Sequence, residues 1–228
     1  MAQTKRRRTD ASMATSAKPA KAGATPARSA SPAGSPTSQR MQRRIIDAAF
    51  DVIAERGLTG ATFATVASEA GVSQGVLVFH FKTKEELLAE TLRRFILEYE
   101  RSWRRAAATE DPLERIRALI RVDFSQAICS RKKLAFWFAF WGEATAKPIF
   151  NKICAAAEMA RGEVMAEACR DYCERAGDGD PASLADYIDA QIDGLWLQLH
   201  INWKKLTRPG AQEIALAHLE RILPDRAG

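Results

Sequence analysis

The stretch Thr62–Leu88, TFATVASEAGVSQGVLVFHFKTKEELL, leaves this chain few ways to fold. It spells two short helical patterns joined by a glycine turn and followed at once by the start of a longer helix. Thr62 is a good N-cap, Val66, Ala67 and Ala70 then share one helical face, and Gly71 can take the positive φ of a tight turn. Ser73 is expected to cap the second helix. There Leu77 and Phe81 stand four residues apart for burial, while Gln74, Gly75, Val76, Val78 and Phe79 face outward. Exposed valine and phenylalanine on a two-turn helix need a reason. A DNA major groove supplies one, because apolar side chains touch thymine methyls and an amide such as Gln74 can pair bidentately with adenine. The alternative is a small three-helix core whose valine and phenylalanine pack elsewhere.

The pattern on either side is helical throughout, and no segment alternates with period two, so the predicted fold is all-α. A first helix is expected over about Gln39–Arg56, with Ile46, Ala49, Phe50 and Ile53 on one stripe and a stop at Gly57. Arg43 and Arg44 near its start are candidate phosphate contacts or an ordinary solvated face. Thr83 should cap a long helix running to about Ala107. From Asp111, with Pro112 at the first helical position, a further helix is expected through Ile116, Phe124 and Ile128. KLAFWFAFWGEA (Lys133–Ala144) is apolar nearly all round and must be central. Three more helices are expected, from Pro148 to about Arg175, from about Ser183 to Leu206, and from Pro209 to Leu223. The expected domains are a tail over residues 1–38, a DNA-binding head over 39–84 and a helical body over 85–228.

The high isoelectric point belongs to the tail, where eight basic residues of Met1–Arg40 stand against Asp10 alone. That segment is rich in Ala, Ser, Thr and Pro and nearly lacks large apolar residues, so it is expected to be disordered. No run is long and apolar enough for a membrane span, and no signal peptide follows the basic start, so a cytoplasmic location is expected. The four cysteines form no Cys-x-x-Cys pair, and neither a metal site nor a cofactor is expected. Cys169 and Cys173 stand four residues apart, which leaves a redox-sensor reading open. His80, His200 and His218 lack a matching nucleophile motif, which argues against an enzyme.

AGVSQG, the FHF triplet and KTKEELL, with IIDAAFDVIAERG upstream, resemble the signature of TetR-type transcriptional regulators. By position, the resemblance implies that Gln74, Gly75, Val76, Val78 and Phe79 approach base edges while Thr62, His80 and Lys84 hold phosphates. It also implies a palindromic double-stranded operator. One departure stands out: Val78 occupies a position where the family usually has a phosphate-binding tyrosine. The last two helices resemble those that pair two subunits as a four-helix bundle, which implies a homodimer.

KLAFWFAFWGEATAKPIFNKI and DAQIDGLWLQL further resemble the BetI-type, choline-responsive branch. That implies a small-molecule effector of the quaternary ammonium class and control of glycine betaine synthesis. Such a cation needs aromatic faces and a carboxylate, for which Trp137, Trp141 and Trp196 with Glu143, Asp189 and Asp193 are the candidates. The same tryptophans read equally well as plain core, in which case the chain is an architectural DNA-binding dimer without a ligand. A relative with another effector is the third reading.

Overall fold

The computed structural model describes residues 35–223. Among them every regular element is an α-helix: α1 Pro36–Gly60, α2 Phe63–Ala70, α3 Gln74–His80, α4 Lys84–Ala107, α5 Pro112–Asp123, α6 Arg131–Ala144, α7 Pro148–Ala176, α8 Pro181–Ile201 and α9 Arg208–Ile222. Among the described residues no helix is long and apolar enough to cross a membrane. Most of the expected tail lies outside the described residues, but Pro36–Ser38 already belong to α1. Proline is preorganised for a first helical turn and takes the boundary three residues upstream of expectation.

α1 does break where glycine was read as a stop: Gly57 has φ 67°, and a short turn to Gly60 follows. Ile45, Ala49, Val52 and Ile53 of α1 close over Val66, Ala67, Leu77 and Phe81, all buried, and this apolar centre holds α2 and α3 in place. α4 spans 24 residues, about 36 Å, and continues from the head into the body. Thr83 caps it by accepting a hydrogen bond from Glu86 N–H at 3.0 Å. In the body α4 packs on α5 and α7, α7 on α8, and α8 on α9, while α6 lies between α1 on one side and α7 and α8 on the other. Phe50 of α1 meets Phe136 of α6 and Phe95 of α4, with ring centroids 4.7 and 5.9 Å apart.

Two helices end earlier than their apolar spacing suggests. α5 stops at Asp123; Phe124 and Ile128 are buried from an irregular turn, so the periodicity reported burial without helix. α8 stops at Ile201 because the Asn202 side chain accepts from the Lys204 and Lys205 amides at 3.2 Å and closes a turn. Ile149, Met159, Tyr187 and Ile214 are exposed, although each is a large apolar residue within its helix.

A candidate nucleic-acid interface and a buried charged centre

In the head, Thr62 and Thr65 form a reciprocal cap: Thr65 N–H donates to Thr62 Oγ1 at 3.1 Å and Thr62 N–H to Thr65 Oγ1 at 2.9 Å. Gly71 closes α2 at φ 62°, with Val72 N–H donating to Ala67 O at 3.0 Å. Ser73 holds an extended N-cap backbone, but its side chain makes no capping hydrogen bond, contrary to expectation. Its exposed hydroxyl stays available. On α3 Leu77 and Phe81 are buried and Gln74, Gly75, Val78 and Phe79 exposed as read, the last two by 49% and 72%, whereas Val76 is half-buried and packs on the apolar centre. His80 packs edge-on against Phe79 at 5.2 Å. Arg43 and Arg44 are exposed, and Arg44 reaches the turn so closely that a β-carbon at Gly71 would sit 2.8 Å from its Nη2. Lys84 is half-buried and donates from Nζ to Leu58 O at 2.8 Å. It pins the start of α4 to the turn after α1.

The body holds a charged centre that the sequence reading missed. Asp123 at the end of α5 is fully buried and accepts from Tyr99 Oη of α4 at 2.7 Å and from Arg161 Nη2 of α7 at 2.6 Å. Trp196 of α8 donates from Nε1 to the Asp123 carbonyl at 3.0 Å. Arg161 is 5% exposed, and its Nε and Nη1 have no hydrogen-bond partner among the described residues. Nη1 lies 3.8 Å from Asp189 Oδ1, too far for a hydrogen bond. Burial works against the charge on Arg161, but Asp123, Tyr99 and Asp189 outweigh it and keep the guanidinium ionised. Burial and the adjoining Asp123 push the Tyr99 hydroxyl well above its ordinary value.

Around this pair the carboxylates are in surplus. Glu158 and Asp193 are exposed and Asp189 half-buried, on the packed helices α7 and α8. Desolvation, with Asp193 and Asp189 adding to it, pushes Glu158 up to about 7. Desolvation raises Asp189 and Asp193 to about 6 each, Arg161 opposing. A signal for Arg161 was present: it stands four residues from both Ala157 and Met165, a charge on an otherwise apolar stripe of α7.

The six candidate ligand residues do not converge as read. Trp137 is buried and stacks with Trp141 at 5.4 Å and Phe95 at 5.6 Å, whereas Trp196 meets Tyr99 at 6.1 Å. The three tryptophans thus fall into two ring groups joined through Phe95 and Tyr99, one turn apart on α4. Glu143 belongs to neither. Two residues beyond Trp141, it points to another side of α6 and lines a cavity of about 280 Å³ with Leu58, Lys84, Lys147 and Phe150. Asp189 and Asp193 do adjoin the charged centre. A second cavity, about 410 Å³, lies between α4 and α7 with Tyr99 and Trp103 in its wall. The cysteines carry no reactive thiol: all four are buried, and burial pushes Cys129 and Cys169 up to about 12 and Cys154 to about 11.

Comparison with known proteins bears on both regions. The family model for bacterial regulatory proteins of the tetR family matches residues 45–91, and that for the BetI-type transcriptional repressor C-terminal domain matches 112–224. The HTH-type transcriptional regulator BetI of Paraburkholderia phytofirmans is 29% identical over 185 residues, covering 80% of this chain and 93% of its own. That of Burkholderia mallei is 28% identical over 188 residues, with the same coverage. Among solved structures, a transcriptional regulator from Saccharomonospora viridis in complex with choline superposes with a TM-score of 0.75 at 25% identity, covering 82% of this chain and all of that one. A TetR transcription regulator from Haloarcula marismortui shares the fold at a TM-score of 0.73 and 17% identity, with the same coverage.

Proposed function

Since the chain belongs to the TetR family of transcriptional regulators, with a C-terminal half of the BetI type, we propose that it binds its operator as a homodimer and responds to a small organic cation of the choline type. The observation that carries the effector reading is the charge imbalance of the body. Arg161 is matched by Asp123 at 2.6 Å and stands 3.8 Å from Asp189, so that Glu158, Asp189 and Asp193, on the packed helices α7 and α8, crowd acidic charge around one buried cation. A bound ammonium group would relieve that repulsion, and the choline seen in the Saccharomonospora viridis relative is of this class. The pathway proposed is accordingly choline and glycine betaine metabolism. Trp196, one turn beyond Asp193 on α8 and 6.1 Å from Tyr99, is the aromatic candidate on the same helix as two of these acids, while Trp137 and Trp141 form a separate ring group.

In the same proposal Gln74, Gly75, Val76, Val78 and Phe79 read base edges, while Arg43, Arg44, Thr62, Ser73, His80 and Lys84 hold phosphates. Dimerisation through α8 and α9 is supported by Tyr187, Leu197, Ile201 and Ile214, large apolar side chains that stay exposed. Gly194 lies on the same face of α8 with open space beside it, room for close helix approach. The test is operator binding followed by fluorescence anisotropy with choline and with 3,3-dimethylbutanol, which has its shape without its charge. Choline should lower operator affinity and the neutral analogue should not. Equal release by both would remove the cation from the mechanism.

A further inference from the structure

We propose that α3 reads thymine methyl groups through Val78 and Phe79, across a contact that Gly75 keeps close, so that the core of each half-site is built of A·T pairs. The inference rests on the operator reading above and adds which bases the helix selects. At about 100° per residue, Gln74, Val78, Gly75 and Phe79 follow one another around the axis over about 140° of arc. All four are exposed, while Leu77 turns the other way into the apolar centre. The neighbours of Phe79 are polar: the His80 ring stands edge-on at 5.2 Å, and the Lys82 ammonium lies 6.0 Å from the ring centroid and donates to Phe79 O at 3.2 Å. Neither contact buries the ring, which keeps most of its apolar face in water.

The chemistry of that arc selects the bases. Guanine is read by arginine or lysine and cytosine by a carboxylate, and the arc carries none of these. It offers one amide, which pairs with adenine, and two apolar side chains, which among major-groove features match only the methyl group of thymine. Gln74 and Val78 lie one turn apart on the same side of α3, about 6 Å along the axis, so the amide and the first apolar group meet neighbouring base pairs. Gly75 stands between Val78 and Phe79 on the arc, and the fold does not demand it. A β-carbon there would meet only Ser73 Oγ at 3.7 Å, an ordinary contact, and alanine is the better helix former. The missing side chain therefore serves a surface outside the chain: it lets the backbone of α3 come close enough for a side chain as short as valine to touch a methyl group in the groove.

The test is selection by the full-length protein from a pool of random-sequence duplexes, followed by fluorescence anisotropy on the enriched duplex with its thymidines replaced one at a time by deoxyuridine, which removes the methyl group alone. The half-site should contain thymines at which that replacement weakens binding roughly fourfold, as expected for one buried methyl group. In Val78→Ala with Phe79→Ala, both at exposed positions, the same replacements should change binding by less than about twofold. Gly75→Ala should separate fold from contact, with a melting temperature at or above that of the wild type and an operator affinity lower by about tenfold or more. An enriched operator insensitive to every deoxyuridine, or a sensitivity that survives loss of both apolar side chains, overturns the thymine reading and leaves operator binding intact. Wild-type affinity in Gly75→Ala overturns the close approach that brings Val78 to the methyl group. A pool that yields no enriched sequence overturns the operator reading and this inference with it.

Discussion

The head and the body of this protein solve opposite problems with the same material. In the head, the residues proposed to meet DNA come from one unbroken stretch, Thr62–Lys84, joined only by Arg43 and Arg44, and the helices there are short and capped by their own neighbours. In the body, the charged centre draws Tyr99, Asp123, Arg161 and Trp196 from four helices, with the two most distant positions 97 residues apart. The head places apolar groups in solvent and the body places charges out of it. Each inversion marks a surface meant for something other than water or plain core, and each should fail differently under mutation.

The largest expected effect is on the body. Asp123→Ala leaves Arg161 charged and buried without its partner, which should cost about 3–5 kcal/mol and sharply lower the melting temperature. Replacing the pair together, Asp123→Leu with Arg161→Met, should recover most of that loss. If the single variant melts like the wild type, the ion pair is not buried as described.

Gln74→Ala sharpens the contrast from the other side. It should weaken operator binding by roughly 1–3 kcal/mol while leaving random-sequence binding and melting nearly unchanged. Equal losses on both DNAs would take Gln74 out of the base-reading set.

Lys84→Ala blurs the boundary between the two regions. Its ammonium holds the Leu58 carbonyl, so the variant should lose about 1 kcal/mol of stability and also flatten the salt dependence of DNA binding by about one unit. Unchanged melting would mean that the hydrogen bond contributes nothing measurable.

The smallest effect is the pH response of the cleft. Glu158, Asp189 and Asp193 have folded-state pKa values raised above their ordinary range, so the protonated forms are favoured by folding. Their contribution to stability is complete below about pH 4 and is lost as pH rises through about 6 to 7. Cation binding runs the other way, since only ionised carboxylates attract it. Choline should therefore raise the melting temperature more at about pH 7.5 than at about pH 5.5. Arg161 and Asp123 adjoin the same acids, and Tyr99 bonds to Asp123, so the comparison belongs with Asp189→Asn and Asp193→Asn, which should each reduce the difference. A ligand shift independent of pH would separate the acids from the effector.

How legible each region was follows from the same contrast. The reading helix could be taken from residues 62–84 because caps, turn glycine and i, i+4 spacing act within a few positions. The lapses there were small: Ser73 keeps an extended backbone without a side-chain cap, and Lys84 turned inward. In the body, the order of the six helices among the described residues, α4–α9, and most of their boundaries followed from periodicity, but the charged centre did not. Asp189 and Asp193, named as candidates because they lie near Trp196 on one helix, do adjoin Arg161. Glu143 was misplaced by the same habit, since two residues along a helix is a different face. Arg161 and Asp123 are partners 38 residues apart, and nothing local announces that pairing.

The clasp of α1 by α6, sealed by Phe50 on Phe136 and Phe95, bears on how a signal could leave the cleft. Lys132 pairs with Asp51 at 2.7 Å and Lys147 with Glu85 at 3.2 Å through exposed side chains. A head held at these points would travel as a pendulum bob fixed to its rod. A rod about 36 Å long that swings by about 5° carries its far end through an arc of about 3 Å. In a symmetric pair the two arcs add, so a tilt too small to notice at Tyr99 would change the span between the reading helices by about 6 Å, close to the rise of two base pairs.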